Sequence, residues 1–126
     1  MKLPSKFIAT SLVAVTLGLA SANTMANTVP VKFKAGASGA TYSNKIRGYN
    51  YTDYTFYAKK GQTLTTIVTG HVDAILFGKN IDSVDLSEDP SYTLPVTGSY
   101  EIRVLQNRAF ARQGKTPNYT LQMTIR

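Results

Sequence analysis

The last third of the chain contains two segments in which apolar and polar residues alternate. Within residues 99–106, the apolar side chains at positions 100, 102 and 104 alternate with charged ones, and within residues 118–126 every second side chain is apolar. These apolar positions are Tyr100, Ile102, Val104, Tyr119, Leu121, Met123 and Ile125. A period of two gives a strand one buried face and one face in solvent. Both segments are therefore predicted to be β-strands of a two-layered structure.

Shorter segments upstream are rich in β-branched and aromatic residues, which favour strands. The further predicted strands comprise residues 29–34, 45–49, 53–58, 63–69, 73–77 and 91–95. Lys59 to Gln62 reads as a tight turn in which Gly61 supplies a positive φ. Seven to eight short strands with closely spaced turns are typical of a sandwich. We predict an all-β fold, a small antiparallel β-sandwich.

The connection between the last two predicted strands is long and basic. Residues 107–117 read Asn-Arg-Ala-Phe-Ala-Arg-Gln-Gly-Lys-Thr-Pro, whereas hairpin loops usually have about two to five residues. Arg108 and Arg112 are four residues apart, so one helical turn would point both guanidinium groups the same way. Gly114 would end that turn. A guanidinium can hold a carboxylate with two hydrogen bonds, so these residues are candidates for binding an acidic partner, and a solvated loop tip is the alternative.

Tyr49 is a third candidate. It follows Gly48, which could interrupt a strand and place the aromatic ring at the rim of the sandwich. A tyrosine in the core or at a sheet edge is the alternative interpretation.

The first residues have the pattern of an export signal. Lys2 and Lys6 precede an apolar run at residues 7–20, and small residues follow, with Ala22 and Ala26 as possible cleavage points. We expect a signal peptide over residues 1–26, or cleavage after Ala22, and one domain over residues 27–126 in the periplasm or outside the cell. Loss of the two lysines lowers the formal net charge from +7 to +5.

Most chemistry-bearing patterns are missing. The chain has one histidine, His71, and no cysteine, so no nucleophilic triad or metal set can be completed from these residues. The acidic residues between Asp82 and Asp89 lack the spacing of a calcium loop. The basic excess is spread over the chain, which argues against a nucleic-acid interface. The sequence predicts a protein that is not an enzyme and that needs no cofactor or metal.

Long segments of the mature chain are similar to one family, the periplasmic inhibitors of goose-type (g-type) lysozyme. Among them is the phrase Tyr-Thr-Phe-Tyr-Ala-Lys-Lys-Gly-Gln within residues 48–62. The matching segments are residues 48–62, 76–78, 82–87 and 98–106, with Asn107-Arg108 and Ala111-Arg112. The same core pattern also resembles the pre-peptidase C-terminal domains, which are β-sandwiches.

The resemblance implies a function and a binding site. Members of this family insert loops into the active-site cleft of g-type lysozyme and so protect peptidoglycan. The family's contact residues, one tyrosine and two arginines four apart, fall on Tyr49, Arg108 and Arg112. The stretch after Ser87 is shorter than the family pattern.

Two alternatives remain open at the level of sequence. Residues 38–42 fit the Ser-Gly-x-x-Tyr pattern of inhibitors of c-type and i-type lysozymes, although a second Thr-Lys-Gly motif is missing. A periplasmic glycan-binding sandwich would instead present an exposed row of aromatic side chains along one sheet. A cluster of Tyr49, Arg108 and Arg112 at one end would favour the g-type inhibitor.

Overall fold

A computed structural model describes residues 26–126, so the predicted signal peptide lies outside the described residues except for Ala26. The elements in chain order are β1 (Ala26–Pro30), β2 (Gly39–Lys45), β3 (Tyr51–Ala58), β4 (Thr63–Thr69), β5 (Asp73–Gly78), β6 (Val84–Asp85), β7 (Ser91–Thr93), β8 (Gly98–Leu105), α1 (Arg108–Arg112) and β9 (Asn118–Ile125). No helix among these residues is both long and apolar enough to cross a membrane.

The strands form two sheets. One has the order β1-β3-β8-β5-β6 and the other the order β2-β9-β4-β7. All pairs are antiparallel apart from β1 and β3, which run parallel. The prediction of an all-β sandwich is confirmed, and the described residues hold nine strands because the two-residue β6 and the separate β2 add to the expected number.

The core lies between the two sheets, and the alternation seen in the sequence creates it. Each apolar position of β8 and β9 named above is buried, and the residues between them face outward. Inside the core, the hydroxyl groups of Tyr54 on β3 and Tyr119 on β9 share a hydrogen bond that joins the two sheets. Burial, followed by this hydrogen bond, raises the pKa of Tyr54 above its ordinary value.

Two predicted strands near the N-terminus are wrong in position. The strand expected at residues 29–34 is β1, which ends at Pro30, and only the hydrogen bond from Val31 N to Thr55 O continues it. The strand expected at residues 45–49 does not form. β2 ends at Lys45 instead, because Arg47 to Asn50 is a turn and Gly48 has a φ of 58°. β2 itself was missed because its core-facing side is made by the small Ala40 and the half-buried Tyr42.

Candidate functional site

The turn that carries Tyr49 is built on a buried anchor. Ile46 is 2% exposed, and its N–H donates to Pro117 O at 3.1 Å. Asn50 N donates to Arg47 O at 3.0 Å and closes a four-residue turn with Gly48 in second position. A positive φ at that position alone is the geometry of a type II′ turn, which favours glycine. Tyr49 therefore stands at the corner of the turn, with 49% of its surface exposed.

The predicted helical turn forms α1. Asn107 caps it, because its Oδ1 accepts a hydrogen bond from Phe110 N at 2.9 Å. Ala111 is buried and fixes one side of the helix against the domain, whereas Arg108 and Arg112 are both exposed. Gly114 follows with a φ of 72°, and its N–H donates to Ala111 O at 3.0 Å. Both arginines thus project from one short, capped turn.

Sheet register brings these two loops to the same end of the sandwich. Tyr51, the first residue of β3, pairs with Leu105, the last residue of β8. Lys45, the last residue of β2, pairs with Asn118, the first residue of β9. We call this region, made by residues 46–50, 70–72 and 106–117, the arginine end. It carries Tyr49, Arg108 and Arg112 together.

The arginine end is locally basic. Its charged side chains are Arg47, Arg108, Arg112 and Lys115, all exposed, and its three segments contain no Asp or Glu. Neither the Arg108 nor the Arg112 guanidinium forms a hydrogen bond or ion pair with another residue of the described part of the chain. Two unpaired, adjacent cations can therefore bind an acidic partner without first breaking an internal contact.

A third arginine has a quite different environment. Arg103 on β8 binds Asp53 through Nε to Oδ1 at 2.8 Å and through Nη2 to Oδ2 at 3.2 Å. Its guanidinium also lies 4.1 Å from the centre of the Tyr51 ring and 5.0 Å from that of Phe77. The hydrogen bond to Asp53 raises the pKa of Arg103. Arg103 therefore stabilises the outer face of its own sheet and is committed to internal contacts.

These contacts bear on the glycan-binding alternative. Tyr51 and Phe77 are on the outer face of the five-stranded sheet, but the Arg103 guanidinium packs over both rings. Tyr57, with 66% exposure, has no stacked aromatic neighbour on this face among the described residues. An open aromatic row, which a sugar-stacking surface would require, is therefore not formed by these side chains.

The Ser-Gly-x-x-Tyr segment lies away from the arginine end. Ser38 and Gly39 are at the opposite end of β2 from Lys45. Tyr42 packs its ring against Tyr54, with centroids 4.9 Å apart, and its hydroxyl accepts from Lys32 N at 3.0 Å. These contacts give the segment a structural role in the domain.

His71 belongs to the arginine end and packs against α1. Its ring meets Phe110 of α1 edge-on, with centroids 5.2 Å apart. A shallow cleft of about 270 Å³ lies beside this pair, and Asn107 and Asp73 also line it. No group of three or more His, Cys, Asp or Glu side chains suited to a metal ion occurs within residues 26–126.

Sequence reasoning missed Gln106, which links the two loops. Its side chain is 5% exposed, and its Nε2 donates to Gly48 O at 2.9 Å and to Lys115 O at 2.8 Å. Gln106 is the last residue of a predicted strand, at a position where the alternation predicts a buried side chain. The local sequence does not indicate that its amide would bind backbone carbonyl groups of two different loops.

Comparison with known proteins identifies relatives along most of the chain. A curated protein of Escherichia coli, the inhibitor of g-type lysozyme, is 46% identical over 107 residues, covering 78% of this chain and 80% of the relative. No family model matches the chain.

Solved structures give the same result. A mutant periplasmic lysozyme inhibitor of g-type lysozyme from Escherichia coli is 42% identical and has a TM-score of 0.75, with coverage of 79% of this chain and 98% of that one. The corresponding protein of Aeromonas hydrophila is 31% identical with the same TM-score, over 82% of this chain and all of the other. The chain belongs to the family of periplasmic inhibitors of g-type lysozyme.

Proposed function

We propose that this protein inhibits g-type lysozyme in the periplasm by inserting the arginine end into the active-site cleft of the enzyme. The observation that carries the proposal is the position of Tyr49 and of two exposed, unpaired guanidinium groups at the same basic end of the sandwich. Family membership names the partner, and this cluster supplies a surface of suitable chemistry.

The mechanism follows from the chemistry of the target. Enzymes that cleave glycosidic bonds generally use carboxylic acid side chains in a groove. Arg108 and Arg112 would pair with such carboxylates or with carbonyl groups beside them, and Tyr49 would pack next to them as a rigid aromatic anchor. Tyrosine and arginine are the residue types that most often dominate binding energy at protein interfaces.

Exclusion of water would make each of these contacts count. In a closed interface, truncation of one partner of a hydrogen-bonded charge pair costs roughly 2–5 kcal/mol. α1 and the Tyr49 turn are held by backbone hydrogen bonds before binding, so little order would have to be gained on association. Occupation of the cleft would keep peptidoglycan out and protect the cell wall.

A panel of lysozymes tests the proposal. The exported protein is mixed with g-type, c-type and i-type lysozymes, and lysis of cell-wall suspensions is followed. We expect inhibition of the g-type enzyme alone. Inhibition of a c-type or i-type enzyme instead would support the alternative drawn from residues 38–42, and inhibition of none would refute the proposal.

A sedimentation control separates inhibition from substrate masking. The protein is incubated with insoluble peptidoglycan in the absence of lysozyme and then centrifuged. We expect it to stay in the supernatant, whereas co-sedimentation would favour a glycan-binding module that acts on the substrate and not on the enzyme.

A further inference from the structure

We propose that Gln106 is a positioning residue of the inhibitor, which sets the placement of Tyr49 relative to Arg108 and Arg112. The inference rests on the proposed function and names a residue that does not itself reach the partner. Gln106 is buried at the base of the arginine end, one residue after β8 and immediately before the cap of α1.

The hydrogen bonds of the Gln106 amide join two separate loops. One N–H of Nε2 points to Gly48 O in the Tyr49 turn, and the other points to Lys115 O in the segment that follows α1. Within residues 26–126, two backbone–backbone hydrogen bonds also join these loops. They run from Ile46 N to Pro117 O at 3.1 Å and from Gly48 N to Lys115 O at 3.4 Å. The bond to Gly48 O is therefore the shortest hydrogen bond between the turn that bears Tyr49 and the segment that bears the arginines. The bond to Lys115 O fixes the same amide to the residues that follow α1.

The amide oxygen of Gln106 lowers the stability of the fold. The Oε1 atom of Gln106 is buried, and no group in the described part of the chain donates to it. A buried acceptor without a donor lowers stability. An apolar side chain of the same size would avoid this penalty but would leave the two loops without their shared donor. We therefore infer that the hydrogen bonds of Gln106 fix the position of the two loops more than they stabilise the domain.

Substitution Gln106→Met removes both donors at similar volume. Gln62→Met is the matched control, because Gln62 Oε1 accepts from Lys59 N at 2.7 Å in the turn after β3, at the opposite end of the sandwich. We expect Gln106→Met to raise the inhibition constant against g-type lysozyme roughly tenfold or more, since small displacements of contact groups have large effects. Gln62→Met should leave the constant unchanged.

A double-mutant cycle separates positioning from a general loss of structure. Tyr49→Ala is made in the original chain and in the Gln106→Met variant. If Gln106 places Tyr49 for binding, Tyr49→Ala weakens inhibition by a much smaller factor in the Gln106→Met background. If the double variant instead shows the product of the two single-variant increases in inhibition constant, the inference is overturned.

Hydrogen exchange gives a readout that does not depend on any lysozyme. In Gln106→Met, amide exchange in residues 46–50 and 113–116 should accelerate together, while exchange in β3 and β9 stays slow. Unchanged exchange in both loops would overturn the positioning role. If the original chain inhibits no g-type lysozyme but the two loops still loosen together, the proposed function fails and the loop-placing role of Gln106 stands.

Discussion

At the scale of single residues, three arginines of this chain have two distinct roles. Arg108 and Arg112 are exposed and unpaired within the described residues, whereas Arg103 is held by Asp53 and by two aromatic rings. The residue type alone does not distinguish the two roles. The separation comes from position, because Arg103 lies in the outward phase of a strand that faces Asp53 directly, and the other two lie on a loop helix.

Substitution Arg103→Met should destabilise the fold without impairing inhibition. Asp53 is only 7% exposed and would lose its partner. Breaking a buried pair usually costs more than breaking a surface pair, and the partial exposure of Arg103 places the expected loss at about 2 kcal/mol. Thermal unfolding should show a melting temperature lower by roughly 10 °C.

The exposed Arg126 provides the control for this prediction. Arg126→Met should change the melting temperature much less, since the one hydrogen bond of its side chain within residues 26–126 is a 3.5 Å contact with Ser38 Oγ. Inhibition by Arg103→Met, measured well below its melting temperature, should equal that of the original chain. A stable Arg103→Met protein that no longer inhibits would reverse the roles assigned here.

At the scale of elements, α1 has five residues and depends on its cap. Isolated helices of that length are not stable in water, so tertiary anchoring at Ala111 and the Asn107 cap must hold it. The cap satisfies the N–H of Phe110, which has no partner inside the helix. The orientation of both guanidinium groups depends on this turn staying formed.

Substitution Asn107→Ala should therefore weaken inhibition through the helix. Loss of a cap of this kind typically costs about 1 kcal/mol. We expect faster amide exchange at Phe110 and Ala111 and a several-fold higher inhibition constant. Asn107→Asp keeps an acceptor oxygen and should retain the helix, although its negative charge near Arg108 would reduce the local positive charge. Equal inhibition by Asn107→Ala and the original chain would show that α1 need not be ordered before binding.

The sequence predicts the elements whose signals are local. The alternation in β8 and β9 and the helix-stopping Gly114 each act within a few residues, and the structure has all three as expected. β2 lacked a clear signal because small and half-buried residues form its inner face. The Gln106 links and the Asp53–Arg103 pair join residues far apart in the chain, and no local pattern encodes which partners will meet.

At the scale of the whole molecule, charge is unevenly distributed. The mature chain would carry a formal charge of +5, and the segments of the arginine end contain four of its basic residues and no acidic ones. A cationic target would be repelled at long range, so the contact must gain from local complementarity inside an acidic cleft. Asp73, the first residue of β5, borders the arginine end, and Glu101 lies on the outer face of the five-stranded sheet.

The environment of Glu101 predicts how stability responds to pH. Burial, followed by the nearby negative charge of Asp53, raises the pKa of Glu101 above its ordinary value of 4.5, and Arg103 opposes this only in part. The folded state then favours the neutral form of Glu101. Its contribution to stability is present at acidic pH and is lost as the pH rises through the raised pKa.

Substitution Glu101→Gln should accordingly raise the melting temperature at pH 7. The gain should shrink as the pH falls and should disappear once Glu101 is protonated in both folded and unfolded chains. Glu88→Gln, at an exposed position between β6 and β7, controls for the loss of one negative charge. A lower melting temperature for Glu101→Gln at pH 7 would mean that the 3.4 Å contact with Arg103 outweighs the cost of burial.

We propose that Tyr49, Arg108 and Arg112 together hold the lysozyme. The most direct test is the dissociation constant of the complex with purified g-type lysozyme, measured by calorimetry for the original chain and for the triple variant Tyr49→Ala, Arg108→Ala, Arg112→Ala. All three side chains are exposed, so the melting temperature should stay the same. We expect a loss of affinity of roughly a hundredfold or more. A triple variant that is folded and binds as tightly as the original chain would contradict it.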